Sequence, residues 1–227
     1  MQPFKWDAER KMRTGIAEAV YCSGKTVSQI EAILVFHLKQ KTAVLLTRLT
    51  EATWQQIDSA LCEIIDYDAA SNTAIYQPNK DKNDTLQQGV LIVAAGTSDM
   101  ALAQEAARTL NFNGFSAPII SDVGVAGLWR LMDNLEEIRQ YALVIAVAGM
   151  EGALFSVLAG LIHAPVIALP SAVGYGVSAD GQAALQSALA SCSPGIVTVN
   201  IGNGFGAAVA AIKMMNMQEN EQEVSKS

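Results

Sequence analysis

The chain has 227 residues, half of them hydrophobic, with 6% aromatic residues and a formal net charge of −7. That length suits one large domain, or an ordinary domain with a smaller companion, and allows a sizeable core. An acidic balance without a basic cluster argues against a dedicated nucleic-acid binder, and Cys22, Cys62 and Cys192, far apart and in no metal-ligand spacing, argue against a disulfide framework or a structural zinc site.

The N-terminal stretch MQPFKWDAERKMR has no apolar signal core, which makes the cytoplasm the expected location. Residues 1–76 read as a small α/β region. KTVSQIEAILVFHLKQ predicts a helix, with Thr26 or Ser28 as cap and Val27, Ile30, Ile33, Leu34 and Leu38 at helical spacing. His37 falls on this helix as an expected surface residue. AVLLTRL predicts a strand, and ATWQQIDSALCEI predicts one more helix. Residues 77–88, QPNKDKNDTLQQ, are polar without apolar periodicity and read as a linker.

Residues 89–217 alternate regularly. GVLIVAA, SAPIIS, ALVIAVAG, APVIALP and GIVTVNI read as strands, and helical runs begin near Asp99, Leu128, Glu151, Gly181 and Asn203. The pattern predicts an α/β fold: a parallel five-stranded sheet with helices on both faces and right-handed crossovers. No Asp, Glu, Lys or Arg occurs between Glu151 and Asp180. That run is long enough for a membrane span, but it contains His163, Pro165 and Pro170 and divides into a helix and a strand, so a buried crossover is expected instead. His163 falls late in that apolar helix, as a structural residue. From Gln218 the sequence QENEQEVSKS predicts a disordered tail.

Ligands of such sheets bind beyond the carboxyl ends of the strands. That edge collects Gly96-Thr97-Ser98-Asp99, then Asp122 with Gly124 and Gly127, then Gly149, Glu151 and Gly152, then Ser171, Gly174, Tyr175 and Gly176, and finally Asn203, Gly204 and Gly206. Glycine lets backbone approach a ligand, and helix N-termini attract anions, so five such loops favour a phosphate-bearing ligand. Short strand-to-helix turns also need glycine for their own sake. No Walker loop is present, and GNGFGA follows the last strand, which argues against a Rossmann half. Asp99, Asp122 and Glu151 stand at strand exits, where a carboxylate either favours a helix N-terminus or moves protons and holds a cation. Arg130 is placed to grip a phosphate or to pair with an acid. Cys192 stays open between two roles. As a residue at a helix C-terminus, where the dipole disfavours a thiolate, it is inert filler on the opposite edge of the sheet. The other role is that of a nucleophile, and composition and spacing alone favour the inert one.

The motifs AAGTSDMALAQEAA, SDVGVAGLWRLM, AVAGMEGALFSVLAGL, PVIALPSAVGYG, SCSPG and VNIGNGFGAAVAAI, with the N-terminal DAERKMRTGIAEAVYCSGKTVSQIEAIL and TRLT, together resemble the LarB family over nearly the whole chain. The resemblance implies a PurE-like domain, similar to aminoimidazole ribonucleotide (AIR) carboxylase, behind a smaller N-terminal domain. It implies carboxylation of the pyridinium ring of nicotinic acid adenine dinucleotide by carbon dioxide or bicarbonate, with hydrolysis of the phosphoanhydride. The products would be AMP and pyridinium-3,5-biscarboxylic acid mononucleotide, the start of the nickel-pincer nucleotide cofactor of lactate racemase. The family's cysteine nucleophile matches Cys192. The resemblance assigns Ser98 and Asp99 to substrate contact or proton transfer, Asp122 and Glu151 to substrate contact, proton transfer or metal binding, and Asn203, Gly204 and Gly206 to the ligand loop. A divalent cation, magnesium in the first instance, and a PurE-like octamer are further expectations. The chain departs from the family pattern at three places. Trp129 stands where a histidine is expected before Arg130, Gly202 replaces an acidic residue, and Phe155 replaces a proline. The first two bear on hydrolysis, whereas the retained Cys192 bears on carboxylation. Two other readings follow from the same motifs: a PurE-like carboxylase or mutase of another ribonucleotide, and a nucleotide-binding homologue without catalysis.

Overall fold

The computed structural model describes residues 4–78 and 85–224, with side chains as far as 217. The chain divides into two compact units, Met1–Thr85 and Leu86–Ser227. The break falls in the polar stretch read as a linker. The middle of that stretch, residues 79–84, lies outside the described residues. Gln87 already forms a parallel bridge with Phe115, so the second unit begins slightly before Gly89.

The first unit contains the short helix α1 (Arg10–Thr14), strand β1 (Ala19–Tyr21), helix α2 (Val27–Gln40), strand β2 (Val44–Thr47), short helices α3 (Glu51–Trp54) and α4 (Ser59–Cys62), and strands β3 (Asp66–Asp68) and β4 (Thr73–Tyr76). Its sheet has the order β1-β2-β4-β3, with β1 parallel to β2 and the other pairs antiparallel. Thr26 caps α2 in a capping box. The Gln29 N–H donates to the Thr26 hydroxyl, and the Gln29 side chain accepts from the Thr26 N–H at 3.0 Å. The α2 residues Ile30, Ile33 and Leu34 bury against Val44, Leu46, Leu49 and Ala74 in one core.

Two expectations are corrected here. ATWQQIDSALCEI forms two short helices, because Asp58 accepts from the Ala60 N–H and starts a new helix within the run. His37 is fully buried, not a surface residue. Its Nδ1 lies 2.9 Å from the Thr42 hydroxyl, the Trp6 and Phe36 rings meet it edge-on, and its Nε2 is buried without a partner. Burial holds this imidazole below its ordinary value of 6.5, against the Thr42 hydrogen bond and the charge of Glu18. The unfolded chain therefore takes up a proton that the folded one refuses as pH falls below 6.5. Stability contributed by neutral His37 is lost through that window. The urea midpoint, followed by Trp6 and Trp54 fluorescence, should fall by a few tenths molar between pH 7.5 and 5.5 beyond the change seen in His37→Gln.

The second unit contains β5 (Val90–Ala94), α5 (Met100–Phe112), β6 (Ile119–Ile120), α6 (Leu128–Asp133), α7 (Leu135–Ile138), β7 (Leu143–Ala148), α8 (Ala153–Ala159), β8 (Val166–Pro170), α9 (Gln182–Leu189), β9 (Ile196–Thr198) and α10 (Gly204–Val224). The five strands form one parallel sheet in the order β6-β5-β7-β8-β9. The expected α/β class, with helices on both faces, is what the chain adopts. Strands β5, β7 and β8 are buried along their whole length, which is why they read as unbroken apolar runs. On one face Leu91, Val93, Val144 and Ala146 pack with Leu131, Ile138, Leu154, Phe155, Leu158 and Ala188. On the other, α10 lies along α5, and both helices bury alanines: Ala103 and Ala106 on α5, Ala207, Ala208 and Ala211 on α10. Small side chains there let two backbones approach closely.

The uncharged run from Gly152 to Ala179 resolves into α8, β8 and the turn after it. Among the described residues no helix is long and apolar enough to cross a membrane. His163 sits exposed in the α8–β8 connection, because α8 stops at Ala159 and leaves it outside the helix. The last helix runs through Val224, past the point where a disordered tail is expected. Gln218–Val224 is rich in good helix formers, and extending an existing helix is easier than starting one. Residues 225–227 lie outside the described residues.

Candidate active site

In this strand order the chain leaves β5 for β6 on one side and then crosses to β7 on the other. The carboxyl ends of β5 and β7 therefore border the crevice where open α/β sheets bind ligands. A cleft of about 250 Å³ lies there. Gly96, Ser98 and Asp99 come from the exit of β5, Gly124, Val125 and Ala126 from that of β6, Gly149, Met150 and Glu151 from that of β7, and Val173 from that of β8. Ala95, Ala148, Ala153 and Leu154 complete a largely apolar wall, on which Ser98, Asp99 and Glu151 are the polar side chains.

Asp99 stands where β5 turns into α5 and is buried, whereas Ser98 and Glu151 are exposed. One carboxyl oxygen of Asp99 accepts the Gly96 N–H at 3.0 Å, and the other accepts the Ser171 hydroxyl at 2.5 Å. Burial pushes this carboxyl above its ordinary value of 3.8, against the opposing pull of the Ser171 and Gly96 hydrogen bonds. The folded chain thus holds the proton more tightly than the unfolded chain. Stability from this group is complete below 3.8 and is lost as pH rises through the raised value. Asp99→Asn should therefore raise Tm by a few degrees at pH 7, and the gain should vanish near pH 4. Thermal melts at the two pH values check this.

The β7 exit explains its own glycines. A side chain at Gly149 would place Cβ 2.2 Å from the Val173 carbonyl oxygen and 2.7 Å from the Ser171 hydroxyl. Gly152 has φ +67°, and a Cβ there would lie 2.8 Å from the ring of Phe155. Phe155 is fully buried beneath this turn, so the departure from proline at 155 fills the core under the cleft. At the β6 exit Asp122 takes φ +60° and pairs with Arg130 at 2.5 Å. Gly127 makes room for that guanidinium, since a Cβ there would lie 2.8 Å from its Nε. Trp129, beside it, is 68% exposed.

Several expected site residues do not line the cleft of their own chain. Thr97 is exposed beside it, Tyr175 is 79% exposed, and Gly176 is exposed with φ +59°. Gly174 is pressed against the Ser178 carbonyl, within the β8–α9 turn. Asn203 accepts the Gly206 N–H at 2.8 Å and so caps the start of α10, which needs a residue without a side chain at 206. Gly204 sits on the α5 backbone, where a Cβ would meet the Leu102 carbonyl at 3.0 Å. The NGFGA motif thus has a capping and packing role here. Gly202 takes φ +67°, a conformation that glycine adopts freely, so the missing acidic side chain relaxes the turn. Ser171 lies behind Asp99 and spends its hydroxyl on it. The apolar wall residues Val125, Ala126, Met150 and Val173 belong to the strand-exit loops that the sequence places on this edge, but nothing in their spacing gives them a role of their own.

Cys192 follows α9 and precedes β9, on the amino edge of the sheet. It is exposed, on a loop pinned to α8 by a Ser191–Ser156 hydroxyl contact of 2.7 Å and by the Ser193 hydroxyl donating to the Ser156 carbonyl at 2.7 Å. A five-residue strand spans roughly 15 Å, so Cys192 is remote from the cleft of its own chain. The other thiols are not in this state. Burial drives the Cys22 thiol up to about 12, and burial with the charges of Asp58 and Glu31 raises that of Cys62. Among the described residues no three His, Cys, Asp or Glu side chains converge.

Residues 1–79 match the LarB/PurE-like N-terminal domain, and residues 89–226 match AIR carboxylase. An uncharacterised protein of Methanocaldococcus jannaschii is 37% identical over 215 residues, which cover 91% of this chain and 82% of that one. Solved structures of Treponema denticola PurE and of a substituted form are 22% and 23% identical, with TM-scores of 0.46 and 0.45, and each covers 62% of this chain and 96% of its own. A LarB/PurE-like N-terminal domain followed by an AIR carboxylase domain, in this order and over nearly the whole length, places the chain in the LarB family, with a function of the carboxylase type.

Proposed function

We propose that the chain carboxylates the pyridinium ring of nicotinic acid adenine dinucleotide and cleaves its phosphoanhydride, giving AMP and pyridinium-3,5-biscarboxylic acid mononucleotide. The observation that supports this most is the character of the cleft. Two carboxyl side chains, Asp99 and Glu151, stand on an apolar wall that includes no Lys or Arg. Such a wall suits a flat cationic ring and a small apolar co-substrate such as carbon dioxide. Arg130 and the first-turn N–H groups of Thr97 and Ser98 are suited to the phosphates at the rim.

A pyridinium carbon 5 is electron-poor and does not attack carbon dioxide. When a thiolate adds to carbon 4, a C–S bond forms and the ring nitrogen takes up the displaced electron pair, leaving an enamine. Carbon 5 then attacks carbon dioxide and a C–C bond forms. The proton on carbon 5 passes to a carboxylate, Glu151 or Asp99, the C–S bond breaks, and the aromatic ring and the thiolate return. Water adds across the phosphoanhydride to release AMP. No cation is assigned to that step.

Cys192 supplies the thiolate in this reading. Because it lies on the edge opposite the cleft, a second copy of the chain must bring it, which agrees with the homo-oligomer expected of PurE-like domains. The test incubates the protein with nicotinic acid adenine dinucleotide, bicarbonate and magnesium and identifies products by mass. The biscarboxylated mononucleotide with equimolar AMP supports the reading. Carboxylation of an aminoimidazole ribonucleotide instead, with the dinucleotide untouched, refutes it.

A further inference from the structure

The Asp99 carboxyl is held from two directions. The Gly96 N–H, on its own loop, takes one oxygen, and the Ser171 hydroxyl, 72 residues away at the end of β8, takes the other. Strand β7 lies between β5 and β8, so this bond passes over β7 at Gly149. It can do so because residue 149 has no side chain: a Cβ there would stand 2.7 Å from the Ser171 oxygen. The Val173 N–H approaches that oxygen at 3.4 Å, which turns the hydroxyl proton toward Asp99. Ser171 is itself buried and does not line the cleft, so its hydroxyl serves the carboxyl and not a ligand.

We propose that Ser171 is a positioning residue for Asp99, its hydroxyl bridging β7 to lock the carboxyl oxygen that the Gly96 amide leaves free. This rests on the reading of Asp99 as a group that moves a proton in the cleft. A hydrogen-bond donor favours the ionised carboxylate, whereas burial favours the protonated acid. Ser171 therefore keeps Asp99 ionisable in a dry place. No charged side chain contributes to the balance. Of the titratable groups nearby, Glu151 faces the same cleft from the β7 exit, and Asp122 and Arg130 pair with each other at the β6 exit.

The experiment follows the full-length protein labelled with 13C at the aspartate carboxyls. The Asp99 resonance is assigned as the one lost in Asp99→Asn. In Ser171→Ala the Asp99 titration should move up by about one pH unit, and in Ser171→Thr, which keeps the hydroxyl, it should return toward the parent. The acid limb of the kcat profile for dinucleotide carboxylation should move with it. An unmoved Asp99 titration in Ser171→Ala overturns the inference whatever the enzyme does. A titration that moves while the rate profile stays fixed upholds the bridge and overturns the role of Asp99 in the reaction.

Discussion

Cys192→Ser should retain its fold and bind the dinucleotide, yet lose ring carboxylation by about 10³-fold or more. A serine hydroxyl stays protonated at neutral pH and does not add to carbon 4, so the enamine never forms. The substitution leaves the loop intact, because the hydroxyls of Ser191 and Ser193, not residue 192, tie it to α8. Circular dichroism and dinucleotide binding check the first half of the expectation, and single-turnover product formation checks the second. Mixed oligomers sharpen it. If Cys192 acts on the cleft of another copy, inactive Cys192→Ser chains assembled with chains that lack both cleft carboxylates, Asp99→Asn with Glu151→Gln, should regain part of the activity. Full turnover by Cys192→Ser alone would rule out covalent catalysis at this residue.

Gly149→Ala should destabilise the second unit by about 3 kcal/mol and close the cleft. The added methyl would sit 2.2 Å from the Val173 carbonyl oxygen, and its other neighbours are the Ser171 hydroxyl and the Val173 side chain. That carbonyl also accepts the Met150 N–H at 2.6 Å, so moving it aside breaks the hydrogen bond joining the exits of β7 and β8. The Asp99–Ser171 bond crosses the same point and should break with it. Gly176→Ala is the control. Its Cβ meets nothing within 4 Å, but φ +59° leaves a backbone strain of about 1 kcal/mol. Urea melts should rank Gly149→Ala well below Gly176→Ala, and the reverse order would contradict the close-approach account.

The five-stranded sheet was legible because its strands are apolar on both faces and its glycine loops mark each exit. LVIAVA and VIALP admit no half-exposed reading. The edge on which Cys192 lies was legible too, since a parallel crossover returns the chain to the amino side before each strand. Its chemistry was not: local physics makes it a helix-end residue, and only the whole-chain resemblance gives it a role. Other features depend on contacts that spacing does not encode. The partner of Asp99 is 72 residues away. His37 is buried by Trp6 and Phe36, although its helix has room for a polar face at that position. The NGFGA glycines also serve a cap and let two helices touch, which the motif by itself does not reveal. Helix ends were the least legible, as in ATWQQIDSALCEI, where a capping Asp58 inside a periodic run starts a new helix.

Carbon-13 bicarbonate tests the central claim most directly. The protein is incubated with nicotinic acid adenine dinucleotide and labelled bicarbonate, and the mononucleotide product is examined by NMR. The account predicts one labelled carboxyl on ring carbon 5, formed with AMP by the parent protein and absent with Cys192→Ser. Unlabelled mononucleotide released with AMP, or a labelled product that Cys192→Ser forms equally well, would contradict it.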